Sequence, residues 1–306
     1  MPQAVYFLLL PNVLSLDVSG PAEALRLAGQ FSLRYLGPTP QIVSSIGLTL
    51  GGLAPLPERL EDGAILVVPG VSDSQHFAAH AEAEQARRWL TTLRPDLQRR
   101  RITLVCICSG ALLAAQAGLL DGYRCTTHHD LIADIRRQAP AAQVKENRIF
   151  IEDRGVCTTA GITAGIDLAL HLVHRYCGAA QAREVAREMV VYFRRSGDDP
   201  QLSPWLRHRN HLHPAVHRAQ DVMAAEPEAE WSVPQVAEKA HVSSRHLARL
   251  FRSHVGISVR EYHEQLRLAV AQQRLQQGYG LEKAALAAGF SSGRQLRRAQ
   301  QRQPPL

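Results

Sequence analysis

The sequence has no long apolar run. Its one N-terminal apolar stretch, "VYFLLL", has no basic residue before it and is closely followed by Pro11. It is too short to span a bilayer and reads as a buried strand, not a signal peptide, so no membrane partner is expected. Cysteine is scarce too: there are five, an odd number, with no Cys-x-x-Cys pair. That excludes a disulfide framework and offers no zinc signature. A reducing, cytoplasmic location is expected, with no cofactor and no bound metal. The histidines His208, His211, His213 and His217 have loosely metal-like spacing, but a polar linker accounts for them.

Charge excess is missing from most of the chain. From Trp231 to the end there are 12 Lys and Arg against 4 Asp and Glu; the first 230 residues hold 23 against 24. The whole basic surplus therefore lies in the last quarter, which points to a nucleic-acid partner for that part alone. At 306 residues the chain is long enough for two domains with sizeable cores.

The first part alternates short Val/Ile/Leu runs, "VYFLLL", "AILVVPG" and "ITLVCIC", with helical patterns at 21–30 and 82–93. Such runs suit strands buried on both faces, and the alternation predicts a parallel sheet with helices on both faces, a flavodoxin-like α/β sandwich. A largely buried helix, "GITAGIDLALHLVHRYCG", follows and ends near Gly178. "RRSGDDPQLSPWLRHRNHLHP" then breaks the pattern with two Asp and three Pro. The expected division is a sensing domain at 1–190, a linker at 191–212 and an all-α domain at 213–306.

Within the first domain, "LVCICSGALLAAQAGLL" sets Cys108 on a tight strand–turn–helix junction, with Gly110 supplying backbone freedom. This geometry aims the thiol into a crevice at the carboxyl end of the sheet, where a helix N-terminus would lower its pKa. His128 or His129 is a candidate base, and Asp17 or Glu23 a candidate carboxylate. Three uses of Cys108 stay open: a turn filler, a pocket-lining or redox-sensitive thiol, and a nucleophile. His128 also reads as an ordinary hydrogen-bonded histidine. Asp17 and Glu23 equally suit capping of a helix beginning near Pro21 or a cation-binding pocket.

The last domain reads as two helix-turn-helix units. In "SVPQVAEKAHVSSRHLARLFRSHVG", Ser243 or Ser244 caps a second helix, and "LEKAALAAGFSSGRQLRRAQQR" repeats the unit. Ala237 and Ala240 match Ala285 and Ala288 at an offset of 48, whereas Leu247 and Arg249 match Leu296 and Arg298 at 49. The slip falls in the turn around Gly289–Phe290. A DNA-facing surface would carry Ser244, Arg245, His246 and Arg249 on the first unit. On the second it would carry Gly293, Arg294, Gln295, Arg297 and Arg298.

"VAEKAHVSSRHLARLFRSHVGISVREYHEQLRLAVAQQRL" with "AALAAGFSSGRQLRRA" resembles the DNA-binding domain of AraC/XylS family regulators. The family usually has an aromatic residue where this chain has Gln300, the counterpart of Phe251. A weaker second unit is therefore expected. "CICSGALLAAQAGLLDGYRCTTHH" and "LVVPGV" resemble ThiJ/PfpI domains of the class I glutamine-amidotransferase-like fold. That resemblance implies an elbow cysteine at Cys108, a helper histidine at His128 and an acidic residue at Asp17. It also implies oxyanion donors in the backbone N–H groups of Val71 and Ser109. Two departures lean against catalysis: Ser109 stands where proteolytic members have His, and Val71 where they have a second Gly.

The combination, with "CTTAGITAGIDLALHLV" and "AREVAREMVVYFRRSG", resembles GlxA-type regulators. It implies no catalysis, with Cys108, His128 and Asp17 as remnants of a catalytic site. A small-molecule effector, an amine or amino acid, would bind near Asp17, Glu23, Val71, Cys108, Ser109 and His128. The implied partners are double-stranded promoter DNA, a second copy in a homodimer, and RNA polymerase if the protein activates. The competing classes are a cysteine amidase or hydrolase, and a thiol redox sensor, each with an appended DNA-binding module.

Overall fold

The structure is a computed structural model that describes residues 2–72, 80–191, 195–199, 201, 208–209, 211–276 and 278–302. Much of the expected linker, 192–194, 200, 202–207 and 210, lies outside the described residues. The chain forms two compact units, Met1–Gln201 and Leu202–Leu306.

Unit 1 is built on strands β1 (Gln3–Leu8), β2 (Phe31–Leu36), β5 (Ile65–Val68), β6 (Thr103–Ile107), β9 (Phe150–Asp153) and β10 (Val156–Thr159). They form one sheet in the order β2-β1-β5-β6-β10-β9. All pairings are parallel except that of β9 with β10 at the edge. Two short pairs, β3 (Gln41–Val43) with β4 (Thr49–Gly51) and β7 (Arg124–Cys125) with β8 (Gln143–Val144), lie outside it.

The central strands β5 and β6 are buried at every position because both faces of the sheet are covered. Ala4, Tyr6 and Leu8 of β1 join one core, with α2 (Ala81–Thr92), α3 (Arg94–Gln98), α4 (Gly110–Gln116) and α5 (Ile132–Gln138). Val5 and Phe7 join the other, under α1 (Ser15–Leu27) and α6 (Ala164–Glu188). This is the two-period of a strand read onto two layers.

Two helices differ from expectation. α1 begins at Ser15, six residues before Pro21, which lies inside the helix. Proline lacks the N–H that would donate to the residue four back, yet α1 continues through it, held by the packing of Val18, Ala22 and Leu25 on the core. α6 breaks at Gly178, φ 86°, where an end was expected, and then resumes.

Unit 2 comprises α7 (Pro214–Ala225), α8 (Val233–Lys239), α9 (Ser244–His254), α10 (Val259–Gln276), α11 (Leu281–Ala287) and α12 (Gly293–Arg302). Helix–turn–helix pairs α8/α9 and α11/α12 repeat. Ser232 and Gln235 form a capping box at α8, and Ser243 caps α9 by accepting from the His246 N–H. The first turn passes through His241 at φ 57°, the second through Gly289 at φ 78°. The second turn is one residue longer, and the surplus follows Phe290: Ser292, not Ser291, takes the place of Ser243 by accepting from the Gln295 N–H.

The repeat extends to the helix before each pair. Arg218 of α7 donates to the Ala240 carbonyl at 3.0 Å, and Arg267 of α10 to the Ala288 carbonyl at 3.1 Å. Each guanidinium ties down the C-terminal end of the first helix of its pair. The cores are unequal. Among the described residues, a packed cluster of thirteen buried apolar residues, including the Phe251–Tyr262 pair, supports the first unit, against a cluster of six in the second: Ala271, Ala285, Ala288, Phe290, Leu296 and Ala299. Gln300 is exposed where Phe251 is buried.

Candidate functional site

The loops after β1, β5, β6 and β10 meet at the carboxyl ends of the strands, beside the place where strand order reverses between β1 and β5. They bring together Asp17, Gly70–Val71, Cys108–Ser109 and Gly161–Ile162. Asp17, in the first turn of α1, has no exposed surface. Its two carboxylate oxygens accept from the Gly70 and Ile162 N–H groups, each at 3.0 Å. Burial pushes its carboxyl up to about 6, opposed by those two donors. Asp17 is thus a buried member of the site, not a surface cap.

Cys108 takes a left-handed backbone, φ 53°, an unfavourable region for a residue with a side chain. Glycines make room for it. A Cβ on Gly110 would overlap the Val68 carbonyl oxygen, and one on Gly161 would overlap the Cys108 side chain. The sharp turn between β6 and α4 forms as expected, but the thiol is not activated. Burial, then the Asp17 charge, pushes it up to about 12. The expected lowering by the helix N-terminus fails because α4 has only seven residues and burial outweighs the Ser109 N–H.

The expected oxyanion donor at Val71 is already in use. The Val71 N–H donates to Ser109 Oγ at 2.8 Å, and the Ser109 hydroxyl donates back to the Val71 carbonyl at 3.0 Å. His128 starts a 3-10 turn (His129–Leu131), its Nδ1 accepting from the Asp130 N–H at 3.4 Å. Its ring lies against that of His129, centroids 4.1 Å apart, and burial and that neighbour lower its pKa. Among the described residues no imidazole is hydrogen-bonded to the Cys108 sulfur. The neighbouring Thr127 instead donates its hydroxyl to the Cys108 carbonyl at 2.8 Å.

Glu23 does not join the group. It lies six residues beyond Asp17 on another face of α1, exposed and paired with Arg26 at 2.7 Å. Gly161 and Ile162, expected at the start of the helix, instead form the loop after β10, two and three residues beyond the strand, and the helix begins at Ala164. His128, His129 and Asp130 are the only grouping among the described residues with three ligand atoms mutually within 4.8 Å. They are consecutive, and His129 and Asp130 are exposed.

On unit 2, Arg245 and Arg249 are exposed on α9, beside the half-buried Ser244 and His246, and Arg249 donates to His246 Nδ1 at 2.9 Å. Arg294, Arg297 and Arg298 are exposed on α12. One expectation for α12 is corrected. Gly293 is buried against Leu281, and its N–H donates to Glu282 at 2.9 Å, because α11 passes too close for a side chain. Gln295 is exposed, but its side-chain carbonyl accepts from the Ser291 N–H at 2.6 Å and hydroxyl at 2.9 Å, holding the lengthened turn.

Comparison with known proteins agrees with this layout. The DJ-1/PfpI family pattern matches residues 3–175 and a helix-turn-helix domain matches 236–303. The HTH-type transcriptional regulator GbdR of Pseudomonas aeruginosa is 30% identical over 300 residues, 95% of this chain and 79% of GbdR. GlxA of Rhizobium meliloti, also an HTH-type transcriptional regulator, is 29% identical over 298 residues, 95% of this chain and 89% of GlxA. Isonitrile hydratase of Pseudomonas putida is 33% identical over 194 residues, 62% of this chain and 78% of the hydratase. With a DJ-1/PfpI unit followed by an AraC-type helix-turn-helix domain and regulator relatives along nearly its whole length, the chain belongs to the GlxA-type AraC family of DNA-binding transcriptional regulators.

Proposed function

We propose that the elbow around Cys108 binds a small molecule without turning it over, and that its occupancy governs engagement of promoter DNA by α9 and α12. One observation carries this reading: Ser109 and Val71 satisfy each other, leaving the elbow with a neutral thiol and no donated oxyanion hydrogen bond at Val71. A nucleophile needs a thiolate and a base, and acyl chemistry needs free donors aimed at the developing charge.

Replacing Cys108 by alanine is therefore expected to leave promoter affinity, measured by fluorescence anisotropy, within about twofold of wild type, since a buried thiol acts as a small apolar group. The wild type should turn over neither isonitriles nor amides. Turnover that vanishes in Cys108→Ala while DNA binding stays unchanged would establish the enzyme reading instead.

The effector class supported by the site is a nitrogenous cation, because the buried Asp17 carboxylate has two N–H donors but no cationic partner among the described residues. Asp17 carries its charge above about pH 6 and loses it below. Affinity for a quaternary ammonium compound, whose own charge does not titrate, should rise with pH through about 6 and level off above 7. Calorimetric titration between pH 5 and 8 measures this, and a flat profile removes Asp17 from the binding site.

The DNA-facing groups of this reading are Ser244, Arg245, His246 and Arg249, with Arg294, Arg297 and Arg298. Arginines on a second helix suit bidentate contact with guanine or neutralisation of phosphate.

A further inference from the structure

Two hydrogen-bond chains leave the elbow and end on the same segment, the last residues of unit 1. The first runs from the Cys108 carbonyl, which accepts from Thr127 Oγ1 at 2.8 Å, to the Thr127 carbonyl, which accepts from Gln201 Nε2 at 2.7 Å. The second starts at Asp17, which accepts from the Ile162 N–H, and passes to the next residue, Thr163, whose hydroxyl accepts from Arg195 at 2.9 Å. The segment from Arg195 to Gln201 is thus fastened at its two ends to Thr163 and Thr127, each one step from an elbow residue. The boundary between the two units falls immediately after Gln201.

The two fastenings differ in strength. Arg195 donates from Nε at 2.9 Å and Nη2 at 2.6 Å to one oxygen of Asp167, and its own N–H bonds the other oxygen. Asp167 is only 5% exposed. A buried, charge-assisted pair of this kind is a fixed post. Between the ends, Ser196 and Asp199 close a turn, and the Asp199 carbonyl accepts from the Ile149 N–H at 3.0 Å. At the far end the Gln201 side chain is equally buried and also donates to the Arg148 carbonyl at 2.9 Å. Yet Gln201 Oε1 is buried with no hydrogen-bond partner among the described residues. A buried acceptor without a donor opposes its own burial, so this end is the releasable one.

We propose that residues 195–201 are a latch, fixed at Arg195 and released at Gln201, through which occupancy of the elbow reaches the chain entering unit 2. This rests on the reading of the elbow as a binding site. Thr127 is tied to Cys108 by its hydroxyl and to His128 by the peptide bond, so a ligand that moves either residue moves the Thr127 carbonyl. Such a ligand thereby binds the released and the fastened states unequally, as any population shift requires.

The test uses the full chain and the rate of tryptic cleavage after Arg207. Gln201→Ala and Thr127→Val should each raise that rate about tenfold, the loss of roughly one net hydrogen bond's worth of protection. The double variant should be no faster than the faster single one. Rates that multiply mean two unconnected contacts and overturn the latch. Gln201→Glu keeps the shape, removes the amide donors and should match Gln201→Ala; an unshifted melting temperature confirms that unit 1 is folded.

L-Arginine and choline serve as probes. Either should change the cleavage rate in wild type and leave it unchanged in Gln201→Ala. A probe that protects the amides of residues 108–110 from hydrogen exchange without altering cleavage overturns the latch and leaves the binding reading standing. If neither probe protects those amides, the binding reading fails for these compounds, and the variant cycle still decides the latch.

Discussion

Replacing Arg245 and Arg249 together by alanine is expected to reduce promoter affinity by a factor of about thirty or more, the product of two contacts worth about 1–3 kcal/mol each. Both guanidiniums are exposed on one helix, one turn apart, on the unit with the larger core. Arg249 is also held in place by His246, so less side-chain freedom is lost when it meets a base. Anisotropy titrations across a salt series measure the effect. The log–log slope should fall by about one for each phosphate contact removed. Substituting Arg294, Arg297 and Arg298 together should flatten the salt dependence further but change sequence preference less, because α12 rests on a thinner core. A loss below tenfold for the Arg245/Arg249 pair would place recognition elsewhere in unit 2.

The second large effect lies at Gly110. Alanine there is expected to destabilise unit 1 by about 3 kcal/mol or more, at the upper end of overpacking costs. The added Cβ would overlap the Val68 carbonyl oxygen, and the Pro69 oxygen would stand 2.9 Å away. Both obstacles are backbone, so no flexible side chain can yield. Relief requires β5 and α4 to separate, which breaks the Ser109–Val71 pair and the left-handed turn at Cys108. Gly47→Ala is the control: φ is 81° but nothing lies within 4 Å, so only backbone strain of about 1 kcal/mol is lost. Urea unfolding of both variants compares the two. A Gly110→Ala loss no greater than that of Gly47→Ala would mean that the elbow is looser than this geometry.

The central strands were legible because burial on both faces leaves no alternation: "AILVV" and "LVCI" are apolar at every position. The repeat in unit 2 was legible down to its one-residue slip, since both pairs keep Ala and Leu at matching core positions. The start of α1 was not. Pro21 reads as a first-turn residue, and only packing against the sheet explains a helix that continues through it. That error hid the burial of Asp17. The closure of Val71 by Ser109 was also out of reach, since the two residues lie 38 apart in sequence and meet only through the β5–β6 pairing. The exposed-face pattern held along α12 except at Gly293, where α11 claims the space; at Gln295 it held, with the side chain also bracing the turn.

The unequal cores of the helix-turn-helix units bear on the thermodynamics of operator binding. A unit closed around six buried side chains, four of them alanine, opens at lower free energy than one closed around thirteen. If each unit takes one half-site, as proposed above, the first would meet its half-site preformed, whereas the second would draw ordering energy from the duplex as it docks. Binding at the second half-site then carries the more negative heat-capacity change and weakens more steeply on warming. The missing aromatic at Gln300 ranks the two half-sites, and temperature becomes a variable that redistributes occupancy between them.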